Sequence, residues 1–156
     1  MNYVPDKTMK EMFWTGTSRL NRLRFLKRNL ALMVIFFITF MAIFSALSLS
    51  IALNEIFNNG SLTNIDENTL FEHPAILIAI YTVQVFGAVL SYKLDVRRLK
   101  DLGKDNKIAI VGFVCSFAAA VFWPIDILTI IIALYLLFTP GQKGENQYGP
   151  DPLGNE

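Results

Sequence analysis

The sequence predicts an all-α integral membrane protein, a small helical bundle of two full spans followed by a C-terminal helical hairpin. Three observations predict it. Hydrophobic residues make up 53% of the 156 and gather into blocks free of charge. The Lys/Arg residues flank those blocks, with seven in residues 1–28, none in 29–92 and six in 93–107. The last apolar block is broken by Trp123-Pro124-Ile125-Asp126, a run that suits an apex better than the middle of a span. Four membrane segments follow, about 30–53, 75–92, 108–123 and 127–138, with three spans as the alternative. Residues 1–29 form a cationic cytoplasmic arm, 30–138 the membrane domain and 139–156 a Gly/Pro-rich cytoplasmic tail.

Composition excludes several function classes. The formal net charge is +1, and membrane orientation already accounts for the basic clusters, so nucleic acid is not an expected partner. The single Cys115 lies in an apolar run and has no second cysteine to pair with.

In the arm, Leu20, Leu23, Phe25, Leu26 and Leu30 interleave with Arg19, Arg22, Lys27 and Arg28. Two readings stand: a short helix lying in the headgroup layer, or a plain cytoplasmic flank of the first span. Leu30–Leu53 is a run of 24 residues without charge, about 36 Å as a helix and long enough to cross a ~30 Å hydrocarbon core. It is too long for a signal-peptide core and reads as an uncleaved anchor. The chain then turns polar from Asn54 to His73, with a turn at Asn58-Asn59-Gly60-Ser61 and a formal glycosylation sequon, Asn59-Gly60-Ser61. His73, the only histidine, precedes Pro74 at a helix start and suits capping or solvent better than a metal.

Tyr81, Gln84, Ala88 and Ser91 share one face of the second span, and Gly87 with Ser91 adds a small-xxx-small pair for helix packing. The stretch Tyr92–Lys107 prolongs that helix beyond the membrane, with Arg97 and Asp101 as i,i+4 partners and Gly103 as C-terminal cap. Residues 108–138 form the hairpin, with arms of about 24 and 18 Å that must be partly re-entrant or held by neighbours. Gly112, Ser116 and Ala120 give its first arm a small face. The tail is expected to fold back as a cap. Glu145, Asn146 and Tyr148 are its candidate latch, with Arg97 and Arg98 as partners for Glu145 and Leu99 or Leu102 beneath Tyr148.

Three patches carry a resemblance: Arg19-Leu20-Asn21-Arg22-Leu23-Arg24-Phe25, Val96-Arg97-Arg98-Leu99-Lys100-Asp101-Leu102-Gly103-Lys104, and the tail Thr139–Pro152, TPGQKGENQYGPDP. In order and spacing they resemble the bacterial inner-membrane family called domain of unknown function 805. The chain departs from that pattern at Ser18, where the family usually has Gly, and at Lys100, where it usually has His. It departs again at Asp105-Asn106-Lys107-Ile108, where the family often has Ser-Gly-Trp-Trp. The resemblance implies topology and bacterial origin, not an activity.

The residues themselves hold no credible nucleophile–base pair, paired carboxylates, phosphate-cradling glycine loop or metal set, so no enzyme, cofactor or metal is expected. The expected function is a non-enzymatic membrane bundle engaging anionic lipid or a protein partner on its cytoplasmic side. Arg19, Arg22, Arg97, Arg98 and Lys100 are the candidate contacts. The alternative is a small oligomeric transporter or channel component, for which Tyr81, Gln84 and Asp126 are the intramembrane polar groups. Partners are thus anionic headgroups and either a second copy or another membrane protein. The inner membrane, with the N-terminus in the cytoplasm, is the expected location.

Overall fold

The computed structural model describes residues 4, 6–15, 18–59, 74–119 and 121–153. Among these the fold is all-helical and contains no strand beyond an isolated bridge in the tail. Its helices are α1 (Arg22–Asn59), α2 (Pro74–Asp101), α3 (Lys107–Ala118) and α4 (Asp126–Phe138). A π-helical turn, Glu11–Thr15, precedes α1, and a 3-10 turn, Trp123–Ile125, leads into α4. Residues 60–73, which include His73 and most of the sequon, and Ala120 lie outside the described residues.

The chain divides into two compact units, one made of Leu32–Gly87 and the other of Met1–Ala31 with Ala88–Glu156. In the first, α1 and α2 run antiparallel. The Phe36 ring lies 6.1 Å from that of Phe86 and covers Gly87, while Phe40, Phe44 and Leu47 face Val83, Ile80 and Ile76. The absent Cβ at Gly87 lets the ring sit 3.6 Å from where that atom would be. Two helices cannot bury each other's whole surface, and most of this apolar surface stays exposed. In the most apolar 18-residue window of α1 only 6% of residues are buried, and in that of α2 only 11%. Both helices are long and apolar enough to cross a membrane. A core helix of a soluble protein shows the reverse, an apolar face buried against neighbours.

Two sequence expectations need correction here. No separate interfacial helix forms over Arg19–Leu30, because α1 starts at Arg22 and runs unbroken for 38 residues, about 57 Å. Asn21 starts it by accepting the Arg24 N–H at its Oδ1, 2.9 Å away, which is the N-cap bond that satisfies an otherwise orphaned donor. Of the turn expected at 58–61, Gly60 and Ser61 lie outside the described residues; at its other end α1 continues through Asn54–Asn59, where the polar connection was expected to begin. Ile56 and Phe57 continue the apolar pattern there, and Asn58 Nδ2 donates to Asn54 Oδ1 one turn back.

In the second unit the arm opens with a capping box. Thr8 Oγ1 accepts from the Glu11 N–H at 3.2 Å, and Glu11 Oε2 accepts from the Thr8 N–H at 3.4 Å. Helix α2 ends after Asp101 in a Schellman turn: the Lys104 N–H reaches the Leu99 carbonyl, and the Gly103 N–H reaches that of Lys100. Gly103 sits at φ +69°, where a side chain is strained. Helices α3 and α4 form a hairpin, since Gly112 in the middle of one faces Ile132 in the middle of the other. They span only about 18 and 20 Å. The break follows from Pro124, which cannot donate within a continuous helix, and Asp126 lies at the positive end of α4. A single straight helix over 108–138 is therefore not formed.

Gly103→Ala is expected to destabilise by about 1–2 kcal/mol, because it places a Cβ at positive φ and against the Gln142 side chain. Gly112→Ala, whose Cβ meets Ile132 at an ordinary 3.8 Å, is expected to be neutral or mildly stabilising. Thermal unfolding in detergent of the two variants checks the contrast. Equal effects would contradict it.

Candidate functional site

The motif-bearing residues converge on one buried node. The Asp101 carboxylate, on the last residue of α2, takes Arg98 at Oδ2 and Arg19 at Oδ1, the latter at 3.2 Å from both Nε and Nη2. Arg19 is 1% exposed, Arg98 0% and Asp101 3%. Burying three charges out of water is costly unless every donor finds an acceptor, and here backbone carbonyls complete the set.

Arg98 spends its remaining donors on the end of α4 and on the loop before α1. Its Nε donates to Leu136 O at 2.8 Å, Nη2 to Thr139 O at 2.5 Å and Nη1 to Leu20 O at 3.3 Å. The first two acceptors lie at the C-terminus of α4, where carbonyls lack helical partners and the helix dipole favours a cation. One side chain thus fixes the hairpin's end to α2.

Arg19 does the same for the tail. Its Nη1 donates to Gly144 O at 2.6 Å and Gly149 O at 3.2 Å, and its Nη2 donates to Gln142 O. The planar fork of the guanidinium suits several acceptors in one plane, and an ammonium cannot reproduce it. The tail is shaped to present them. Gly149 and Asn146 exchange N–H···O bonds of 2.9 and 3.1 Å, and the Gln142 N–H donates to Asp101 O at 2.8 Å. Gly141 passes so close that a Cβ there would strike the Asp101 carboxylate. Asp151 accepts the N–H groups of Leu153 and Gly144, and these bonds hold its carboxyl below the usual carboxylate range.

A second cluster ties the arm to α2. Arg97 donates to Asp6 Oδ2 at 2.5 Å, to Ser18 Oγ at 2.8 Å, and to the carbonyls of Glu11, Met12 and Ser18. Arg28 reaches the same Asp6 oxygen at 2.7 Å and Met12 O at 3.0 Å. Burial opposes ionisation of Asp6, but hydrogen bonds and charge from Arg97 and Arg28 outweigh it and leave its pKa lowered. Lys93 covers the Trp14 ring at 4.5 Å and donates to Trp14 O. The two clusters are joined by the Leu20 N–H, which donates to Arg97 O.

Several sequence-derived assignments change. Arg19, Arg97 and Arg98 are turned inward onto internal acceptors and do not present their guanidinium groups to lipid; Arg22 is exposed and Lys100 half-buried. Asp101 pairs with Arg98 and Arg19, not with Arg97, because Arg97 projects toward the arm. The tail is held by carbonyls, and the ion pairs of Arg97 and Arg98 go to Asp6 and Asp101 in place of Glu145. Of the latch residues, Asn146 donates from Nδ2 to Lys100 O at 3.0 Å and accepts the Tyr148 N–H, while Glu145 lies exposed. Lys100 contributes its carbonyl here, so this bond does not depend on the identity of its side chain. The Ser18 hydroxyl adds a side-chain acceptor for Arg97. Tyr81 is exposed and Gln84 half-buried on α2 in the first unit, and Asp126 is exposed at the hairpin apex. Asp6 and Arg28 were missed as members of the site, although Asp6 is one of only two acids in an arm of seven cations.

Among the described residues no group of His, Cys, Asp and Glu is arranged to hold a metal. The family model described as "Protein of unknown function (DUF805)" matches residues 13–150, and so covers Arg19, the basic stretch and the tail as far as Pro150. The chain belongs to the DUF805 family. It matches no curated protein and no solved structure. The node gathers residues from all three stretches that carry the resemblance, and all of them lie within the matched span of this DUF805 chain.

Two outcomes are expected. In Arg19→Lys or Gly141→Ala, trypsin should cut the Lys143–Gly144 bond at least about tenfold faster than in the parent, a change of ~1.4 kcal/mol in opening. Unchanged protection in both would remove Arg19 as the tail's anchor. The Asp6 cluster should respond to acid: a carboxyl whose folded pKa is lowered stabilises above the unfolded value of about 3.9, and that contribution is lost as pH falls through the folded pKa. Trp14 emission, read in a Trp123→Phe background, should be constant from pH 7 to 5 and shift below about pH 4. Asp6→Asn should already show the shifted spectrum at pH 7. An Asp6→Asn variant with the parental titration would contradict this role.

Proposed function

We propose that the protein is a non-enzymatic, multi-pass protein of the bacterial inner membrane that engages anionic lipid through its cytoplasmic end. The observation that carries this reading is the exposure of the apolar helices: their most hydrophobic windows are 6% and 11% buried, which suits lipid as the surrounding phase. The distribution of seven, zero and six Lys/Arg supports the arm and the α2–α3 loop on the cytoplasmic side and the α1–α2 connection outside. Helices α3 and α4, each shorter than a ~30 Å core, enter the bilayer as a hairpin and return the tail to the cytoplasmic face.

The buried arginines are structural in this reading. Contact with headgroups falls to cations that remain at the surface, Arg22, Lys27, Lys104 and Lys107, each worth about 1 kcal/mol beside an anionic leaflet. Orientation is tested in a Cys115→Ser background with an impermeant thiol reagent on intact cells. Asn58→Cys should label and Lys104→Cys should not; the reverse pattern would overturn the orientation. Lipid engagement is tested by native mass spectrometry of the protein purified with its lipid. Phosphatidylglycerol or cardiolipin should be enriched over phosphatidylethanolamine relative to the bulk membrane, and a bulk-like ratio would contradict the reading.

A further inference from the structure

We propose that the groove between the N-terminal arm and the first turns of α1 is a site for a single anionic phospholipid; the proposal deepens the lipid reading above and rests on it. The groove encloses about 370 Å³, within the range of small-molecule sites and large enough for a glycerophosphate head and the first carbons of one chain. Its apolar wall is Met9, Met12, Phe13 and Ala31. Methionines adapt their shape to a disordered chain. Its polar wall holds three cations, Arg24, Lys27 and Arg28, against one acid, Asp6. Charge complementarity therefore favours an anion.

The position of the groove along α1 favours a lipid over an acidic protein. Lys27 and Arg28 are the last cations before the uncharged run that begins near Leu30, and Ala31 lies one turn further on. In a membrane helix that transition marks the headgroup level, where phosphate lies beside Lys/Arg and acyl carbons begin. A bound lipid places its phosphate at Lys27, which is exposed, and its chain along Met12 and Ala31 toward the bilayer. The groove exists because Asp6 holds the arm down by bridging Arg28 and Arg97.

The test titrates the detergent-purified full chain with phosphatidylglycerol and, separately, phosphatidylcholine, and counts bound lipid by native mass spectrometry. The variants are Lys27→Gln, Met12→Trp to fill the groove, and Lys143→Gln as an exposed cation in the tail, outside the groove and outside the proposed headgroup contacts. The parent and Lys143→Gln should retain one phosphatidylglycerol in preference to phosphatidylcholine. Lys27→Gln should weaken that binding about fivefold, the equivalent of ~1 kcal/mol, and Met12→Trp at least as much. If the parent prefers phosphatidylglycerol and Lys27→Gln binds it equally well, the groove is not the site, while the broader lipid reading stands. A parent without preference would overturn both. Should Met12→Trp fail to fold, as judged by trypsin at Lys143, Lys27→Gln decides alone.

Discussion

One carboxylate shared by two buried guanidinium groups is the constraint on which this end of the molecule depends. Asp101 closes α2, and through Arg98 and Arg19 it meets the hairpin, the pre-α1 loop and the tail. Two positive groups and one negative group leave an excess charge in a buried place, and it is the carbonyl dipoles of Leu20, Leu136, Thr139, Gln142, Gly144 and Gly149 that balance it. Such a network is no efficient source of stability, since an apolar core of equal volume often does as well. Its value is directional. Each acceptor fixes a position along a different segment, and removing one charge leaves the others without compensation, at a cost of about 3–5 kcal/mol.

This geometry fits a protein whose helices have little else to hold them together. Apolar contact between α1 and α2 gains nothing from the hydrophobic effect if lipid tails surround both, leaving packing such as Phe36 on Gly87 and polar bonds at the ends. Polar bonds can be strong only where water and lipid are both excluded, which the tail achieves by folding over the node. Gly141 permits that path by its close approach to the Asp101 carboxylate, and Gly144 and Gly149 permit it by taking positive φ. The cations thus fall into two sets, those buried in the node and those left at the surface, and the proposed lipid contact rests on the second set alone.

Much of the fold was legible because its signals are local. Long charge-free runs, the Pro124 break and the Gly103 cap each depend on a few neighbouring residues, and each lies where the pattern indicated. The ends of α1 were not, because Asn21 and Asn58 act through single hydrogen bonds that composition does not reveal. The Thr8–Glu11 capping box is equally local, a Thr followed three residues later by Glu. The site was half legible. Sequence pointed to Arg19, Arg97, Arg98 and the tail as separate patches, but which arginine meets which acid depends on how the segments pack. The acceptors of Arg19 are main-chain carbonyls, which no side-chain identity encodes.

The claim that Asp101 unites these segments is tested most directly by amide hydrogen exchange on Asp101→Asn against the parent. Three reporter amides lie in different segments: Leu20 bonded to Arg97 O, Gln142 bonded to Asp101 O, and Gly149 bonded to Asn146 O. The account expects all three to lose protection together, while amides in the middle of α1 keep theirs. Loss confined to Gln142, with Leu20 and Gly149 still protected as in the parent, would show that the arm and tail are held independently and would contradict the shared node.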